Sequence, residues 1–376
     1  MLPPRYLEGI ADEIAEIYSI LEIDILQDMA RRLARLGKVT TTTRWQADLL
    51  VEMGGLKKTI DRVLKKYDRE IVDAVKRAYV DALQKSTDID NRIFKDATGR
   101  TVSAPTAQVM LATIQKARSD LARLTLTTAA TSEQAFVEQA NKIYMQVNSG
   151  AFDYQQAMRY STDDLARQGV TMVQYENGRP VKRSIEAAVR MNVLTGVNQT
   201  ASVVTLNNAQ ELGCDLVETS AHMGARPEHA AWQGRVFSLS GTSSKYPSFD
   251  VCGYGTATGI CGVNCRHSFY PYFEGTGKHF TASDLDELAD EEITYNGKTM
   301  SRYDAEQEQR AIERNIRKYK RQALTQEAGG VDSTRAREYI GKWQAKARNF
   351  VDQTGLKRDY IRERVGTATG KQPRAK

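Results

Sequence analysis

Three of the four histidines and three of the four cysteines of this 376-residue chain fall in one stretch: His222, His229 and His267, with Cys252, Cys261 and Cys265. Gathering these residue types within 46 positions points to a metal site, a proton-transfer site or a polar folding element. Zinc takes four thiolate or imidazole donors, and Cys252, Cys261, Cys265 and His267 supply that number. They lie on a loop whose Gly253, Gly255, Gly259 and Gly262 let the backbone fold back. The spacing of that set, Cys-x8-Cys-x3-Cys-x-His, is irregular for a zinc finger. The reading adopted is therefore a metal-free cluster, with buried cysteines and hydrogen-bonded histidines. Zn²⁺ is the alternative, and a disulfide, disfavoured in a reducing cytoplasm, is the third reading. Acid–base work is a further reading, because two imidazoles and a carboxylate in His222, Arg226, Glu228 and His229 carry protons near neutral pH. Arg226-Pro227 disfavours one continuous helix through this motif, and no His-Glu-x-x-His is present. The plainer expectation is that His222 and His229 bond backbone groups in an irregular connection, with Trp232 packed beneath them. No Walker loop, nucleophile elbow or dinucleotide fingerprint occurs anywhere in the chain.

The order of these residues carries a resemblance. His222-Met-Gly-Ala-Arg226-Pro-Glu-His229, then Gln233-Gly234, then Asn264-Cys265-Arg266-His267, resembles the phage minor capsid protein 2 family, related to the MuF-like head morphogenesis proteins. Pro271-Tyr-Phe-Glu-Gly275, Tyr295-Asn-Gly-Lys298, Gln309-Arg310 and Glu313-Arg314-Asn-Ile-Arg317 continue the likeness in the same order. It is strong from residue 183 onward; before that it rests on helical character alone. The resemblance implies a structural, non-catalytic minor head protein of a tailed phage, incorporated near the portal during assembly. It makes His222, Arg226, His229, Gln233, Gly234, Asn264 and Arg266 family-motif positions, and it implies a portal protein and a major capsid or scaffold protein as partners. A phage-borne enzyme of nuclease or ADP-ribosyltransferase type, using His222, Arg226, Glu228 and His229, is the alternative function. A portal-docking adaptor without DNA contact is a third.

The elements that must position these residues are mostly helical. Leu7, Ile10, Ile14, Ile17, Leu21, Ile25, Met29, Leu33 and Leu36 recur at spacings of three and four, lining one face of a helix that Gly37 is expected to stop. Thr43 and Gln46 form a capping box for a short helix ending at Gly54-Gly55. A second long helix follows, through Leu56, Ile60, Val63, Tyr67, Val75 and Leu83. Residues 86–105 read as a connector, since Asp88, Asp90, Asp96, Gly99 and Pro105 interrupt any regular pattern. Helices are expected over 105–121 and 132–147. Asn177-Gly178 signals a hairpin, Ser184 caps a helix that ends at Gly213, and residues 214–220 alternate as a strand leading to His222. Beyond Gly275 the pattern is helical again, with a cap at Ser301 and Asp304, a break at Gly329-Gly330 and a last helix over 333–364. A Gly/Pro/Lys tail over 366–376 is expected to be disordered.

The fold expected is thus α+β and predominantly helical, with a small central sheet domain carrying the His/Cys cluster. The divisions expected are a helical arm over 1–90, a helical region over 91–165, the α+β domain over 166–280 and a basic helical region over 281–376. There is no apolar run of about 18 residues and no secretory signal, so a cytoplasmic protein without a membrane partner is expected; the resemblance makes that the host cytoplasm during assembly and then the virion head. The net charge of +6 is uneven: residues 301–376 hold 19 Lys and Arg against 10 Asp and Glu, so the excess belongs to the C-terminal segment. Arg314, Arg317, Lys318 and Arg321 are its candidate contacts with genomic DNA, without base specificity, or with an acidic protein surface.

Overall fold

The computed structural model describes residues 1–36, 41–105, 107–169, 171–176, 179–289 and 292–366. Helices dominate: α1 (Pro4–Gly9), α2 (Asp12–Leu36), α3 (Thr42–Thr98), α4 (Ala107–Asn148) and α5 (Tyr154–Gln168) precede any strand. A hairpin, β1 (Thr171–Glu176) with β2 (Arg179–Ser184), leads into α6 (Ile185–Glu211). Then come β3 (Leu216–Thr219), the single turn α7 (Pro227–Ala230), β4 (Val236–Ser238), β5 (Phe269–Tyr272) and α8 (Ala282–Ala289). A second hairpin, β6 (Glu292–Tyr295) with β7 (Lys298–Ser301), opens α9 (Arg302–Ala328), and α10 (Thr334–Thr354) follows. The α+β class with a helical majority is as the sequence implied.

The chain divides into two compact units, each drawn from three segments. One comprises 1–12, 72–120 and 190–307; the other comprises 13–71, 121–189 and 308–376. The first holds the sheet β4-β3-β5, antiparallel throughout, with β3 in the middle. Its core gathers Val217, Trp232, Phe237, Phe249, Cys252, Ile260, Cys261 and Phe269, all buried. Among its described residues the second has helices and, as its only strands, β1 and β2. Ile14, Ile17, Leu21, Ile25, Met29 and Leu33 of α2 are buried on one face, as the three-and-four spacing requires.

Local signals were misleading where a polar or small residue serves a packing role. Gly54-Gly55 does not stop α3. A Cβ on Gly55 would fall 2.1 Å from Arg32 Nη1, so this glycine is a seat for the Arg32 guanidinium, which bonds Glu52, Asp28 and Thr59. The connector expected over 86–105 is helical to Thr98. Two of its polar residues look inward and are satisfied, Thr87 donating to Leu83 O and Asp90 accepting from Thr205, while Asp88 and Asp96 lie exposed on the outer face of the helix. The helix ends where Gly99 takes φ +70° and Asn91 clasps the backbone N–H and C=O of Val102. α4 is one helix where two were expected, and α10 stops at Thr354, capped by Gly355 at φ +68°, ten residues early. The β6–β7 hairpin was missed, although Asn296 and Gly297, both at positive φ, carry the same turn signal as Asn177-Gly178. Residues 177–178, Gly37 and the tail from 367 lie outside the described residues, while β1 and β2, which flank 177–178 in sequence, pair antiparallel.

Glu313 on α9 is a buried acid, and burial pushes its carboxyl from the ordinary 4.5 up to about 7, against the pull of Arg362 and Arg310. A folded-state pKa above the unfolded one means that the folded chain holds the proton more tightly. Glu313's contribution is therefore fully present below about 4.5, is lost as pH rises towards 7, and stays lost beyond. Glu313→Gln is expected to flatten that decline and to stabilise the protein at pH 8 by up to about 3 kcal/mol. Thermal melts of both proteins at pH 5 and pH 8 check it; equal differences at the two pH values would refute the assignment.

Candidate functional site

The His/Cys cluster is assembled by the register of one antiparallel sheet. Thr219 at the end of β3 pairs with Phe269 at the start of β5, and Ser220 N donates to Ser268 O, so the chain after β3 runs beside the chain before β5. On the other edge Gly234 N donates to Thr219 O just ahead of β4. His222, Gln233 and His267 therefore meet at one end of the sheet. Arg226, extended at ψ 143°, gives way to Pro227 at the first position of α7, and that turn carries His229 into the same space.

The contacts are short and specific. His229 Nδ1 lies 3.3 Å from His267 Nδ1, and Cys265 Sγ lies 3.7 Å and 3.6 Å from those two nitrogens. His229, Cys265 and His267 are all buried, with one donor atom from each lying within 4.8 Å of the others. On their far sides, His229 Nε2 meets Thr258 O at 2.7 Å, and His267 Nε2 meets Gln233 Oε1 at 2.9 Å. His222 stacks on His267 with centroids 4.3 Å apart, its N–H donates to Gln233 Oε1, and its Nδ1 contacts Met223 O. Trp232 lies 4.7 Å, centroid to centroid, from both His229 and His267.

Of the four residues first considered for zinc, Cys265 and His267 sit in this group. Cys252 and Cys261 pack in the apolar core behind it, where Cys261, at φ +57°, directs its thiol to His267 O. His229 takes the place that spacing alone assigned to a cysteine. All four cysteines are free thiols. Arg226 donates to Val263 O, and Arg266 pairs with Glu8 and Glu306, so both cations brace the loop. Asn264 holds φ +55° while its N–H donates to Thr195, and Gly234 holds φ +58° in a place where a Cβ would strike Leu285. Sequence reasoning missed Asn198, whose Nδ2 bonds both Cys265 O and His267 O from α6, and Thr258. A buried asparagine among the small residues Ala201, Ser202 and Thr205 of α6 was the available signal.

Burial sets the charge state. It pulls His222 down to about 4, with Arg266 adding to the effect, and it lowers His229 and, further, His267, where the other imidazoles and both arginines contribute. Burial likewise pushes the Cys252 thiol up to about 12 and raises Cys261 and Cys265. Burial thus favours neutral imidazoles and thiols, and among them one donor atom each of His229, Cys265 and His267 converges. Glu228 is exposed, and His222 and His229 each spend a ring nitrogen on a backbone carbonyl.

The sequence model of the phage minor capsid protein 2 family matches residues 2–352, which takes in both units and the whole His/Cys site. The chain belongs to that family. It is similar to a structural protein of Lactococcus phage LL-H, 27% identical over 374 residues that cover 93% of this chain and 98% of that protein. It is also similar to a structural protein of Lactococcus phage mv4, 35% identical over 124 residues, 32% of this chain and 93% of that protein. No solved structure matches. As a minor capsid protein it has a structural role, and no helix among the described residues is long and apolar enough to cross a membrane.

The basic segment divides by position. Arg321 is buried, donating to Ala166 O and paired with Glu22, and Arg317 pairs with Glu186. Arg314 is exposed, and Lys318 lies over the Tyr319 ring at 5.0 Å. Tyr319 stacks on Tyr339 with centroids 4.7 Å apart and planes 10° apart, and Arg335 and Lys342 stand over Tyr339.

Proposed function

We propose that this minor capsid protein is a non-catalytic component of the phage head that joins the portal and the capsid or scaffold protein during assembly in the host cytoplasm, stays in the virion, and touches packaged DNA through its basic C-terminal segment. The observation that carries the DNA contact is the cation-flanked tyrosine stack of α9 and α10. Lys318, Arg335 and Lys342 lie over two half-exposed, mutually stacked rings, which gathers phosphate-binding charge on one surface. Arg317 and Arg321, engaged inside the fold, have a structural task, and Arg314 adds to the outward charge. Against the enzyme reading, His222 and His229 are tied to backbone carbonyls, burial keeps their basicity low, and Glu228 stands apart in solvent.

Titration of the full chain with unrelated duplexes at 50 and 200 mM salt tests the contact. Binding that releases counterions from about four phosphates weakens on the order of 100-fold over that range, alike for every sequence. Arg335→Ala combined with Lys342→Ala is expected to reduce the log–log salt slope by about 2. Absence of binding at low salt, or binding indifferent to salt, would return the charge to an acidic protein surface. Portal association is checked separately by sedimentation with proheads and with purified portal. A chain that associates with neither refutes the assembly role.

A further inference from the structure

We infer that His229 Nδ1, Cys265 Sγ and His267 Nδ1 are three ligands of a zinc ion, with the fourth position left to a water or an exogenous donor. The hydrogen bonds around the cluster assign the tautomers. Thr258 O is a carbonyl and can only accept, so His229 Nε2 carries the ring proton. The His222 backbone N–H can only donate, which identifies its partner on Gln233 as the amide oxygen; His267 Nε2, facing the same oxygen, must donate too. Both Nδ1 atoms therefore present lone pairs, and they do so to each other across 3.3 Å in a buried space. The single Cys265 S–H can satisfy one of them but not both. Lone pairs brought together in this way need a cation between them.

The geometry fits one. Zinc–nitrogen bonds of about 2.0–2.1 Å and a zinc–sulfur bond of about 2.3 Å in a tetrahedron put the nitrogen–nitrogen edge at about 3.3 Å and the nitrogen–sulfur edges at about 3.5 Å. The observed edges are 3.3, 3.7 and 3.6 Å. The outer partners match as well: each ligand imidazole donates its other N–H to a carbonyl oxygen, of Thr258 or of Gln233, which is how metal-bound histidines are held and oriented. Asn198 fixes the loop by taking the carbonyls of Cys265 and His267 on one amide. A thiolate and two imidazoles favour zinc over the oxygen-seeking magnesium and calcium. The set differs from the Cys252, Cys261, Cys265 and His267 group that spacing suggested, and it assigns Cys252 and Cys261 to the core.

Full-length protein purified in reducing, chelator-free buffer is analysed for metal, then stripped and titrated with Zn²⁺ and with Co²⁺. About one zinc per chain is expected. With Co²⁺, a thiolate-to-metal charge-transfer band and the intense visible bands of tetrahedral coordination are expected. Cys265→Ser should abolish the charge-transfer band, and His267→Gln should lower zinc affinity at least 100-fold. Cys252→Ser should keep both metal and spectrum. Circular dichroism verifies that each variant is folded, and for any variant that is not, the wild-type Co²⁺ spectrum alone decides. A wild-type chain that binds neither ion, or a folded Cys265→Ser protein that keeps the charge-transfer band, overturns the assignment. A folded Cys252→Ser protein that loses zinc overturns the ligand set.

Discussion

Gly259→Ala is expected to cost on the order of 4 kcal/mol and to disassemble the His/Cys loop. A Cβ at this position would fall 1.9 Å from Gly253 O and 2.8 Å from Cys252 O, and both obstacles are backbone. No side chain can swing away to make room. The two passes of the loop would have to separate, breaking the bond from Ile260 N to Cys252 O and shifting Thr258 O, which holds His229. Gly255 is the control. It has φ +86° with nothing within 4 Å of a Cβ, so Gly255→Ala meets backbone strain alone, about 1–2 kcal/mol. Denaturant unfolding of the two variants compares them, and similar losses would show that the close approach at Gly259 relaxes.

The second large effect belongs to a residue that first looked like a DNA contact. Arg321→Met is expected to destabilise the protein by about 3–5 kcal/mol, because it removes a cationic partner of Glu22, whose side chain is 2% exposed. Replacing the partner as well, in Arg321→Met with Glu22→Leu, is expected to recover most of that loss, since two apolar side chains in a well-packed site escape the desolvation that the ion pair bears. Arg335→Ala, on the exposed side of the same segment, is expected to leave stability within about 0.5 kcal/mol. A loss below about 1 kcal/mol for Arg321→Met, measured by denaturant unfolding, would mean that water reaches the pair. This contrast separates charge that holds the protein together from charge available to a partner, a distinction that net charge cannot make.

What could be read from the chain itself follows from interactions near in sequence. The buried stripe of α2, the cap at Ser301 and Asp304, and the stop at Gly213 depend on residues within a turn or two of one another, and each stands where the spacing places it. The family was legible for a related reason: the motif from His222 to His267 keeps its order whether or not the fold is known. Where a residue has two uses, local reading fails. Gly55 is a helix breaker by propensity and a seat for Arg32 in the fold, while Asp90 and Thr87 are loop residues by composition and satisfied helix residues in place.

The membership of the His/Cys site was decided by tertiary structure alone. Cys252, Cys261 and Cys265 are equivalent as letters, yet the loop turns two of them into the apolar core and leaves one beside His229 and His267. The sheet register brings residues 222, 233 and 267 to one end of the sheet, across separations that no local periodicity spans. The same holds for Asn198 and Arg321, whose partners lie 67 and 155 residues away in sequence. The chain specifies helices and motif order through short-range propensity and pattern; which donor atoms face each other is settled only when the long-range hydrogen bonds of the sheet and the packing of α6 close around them.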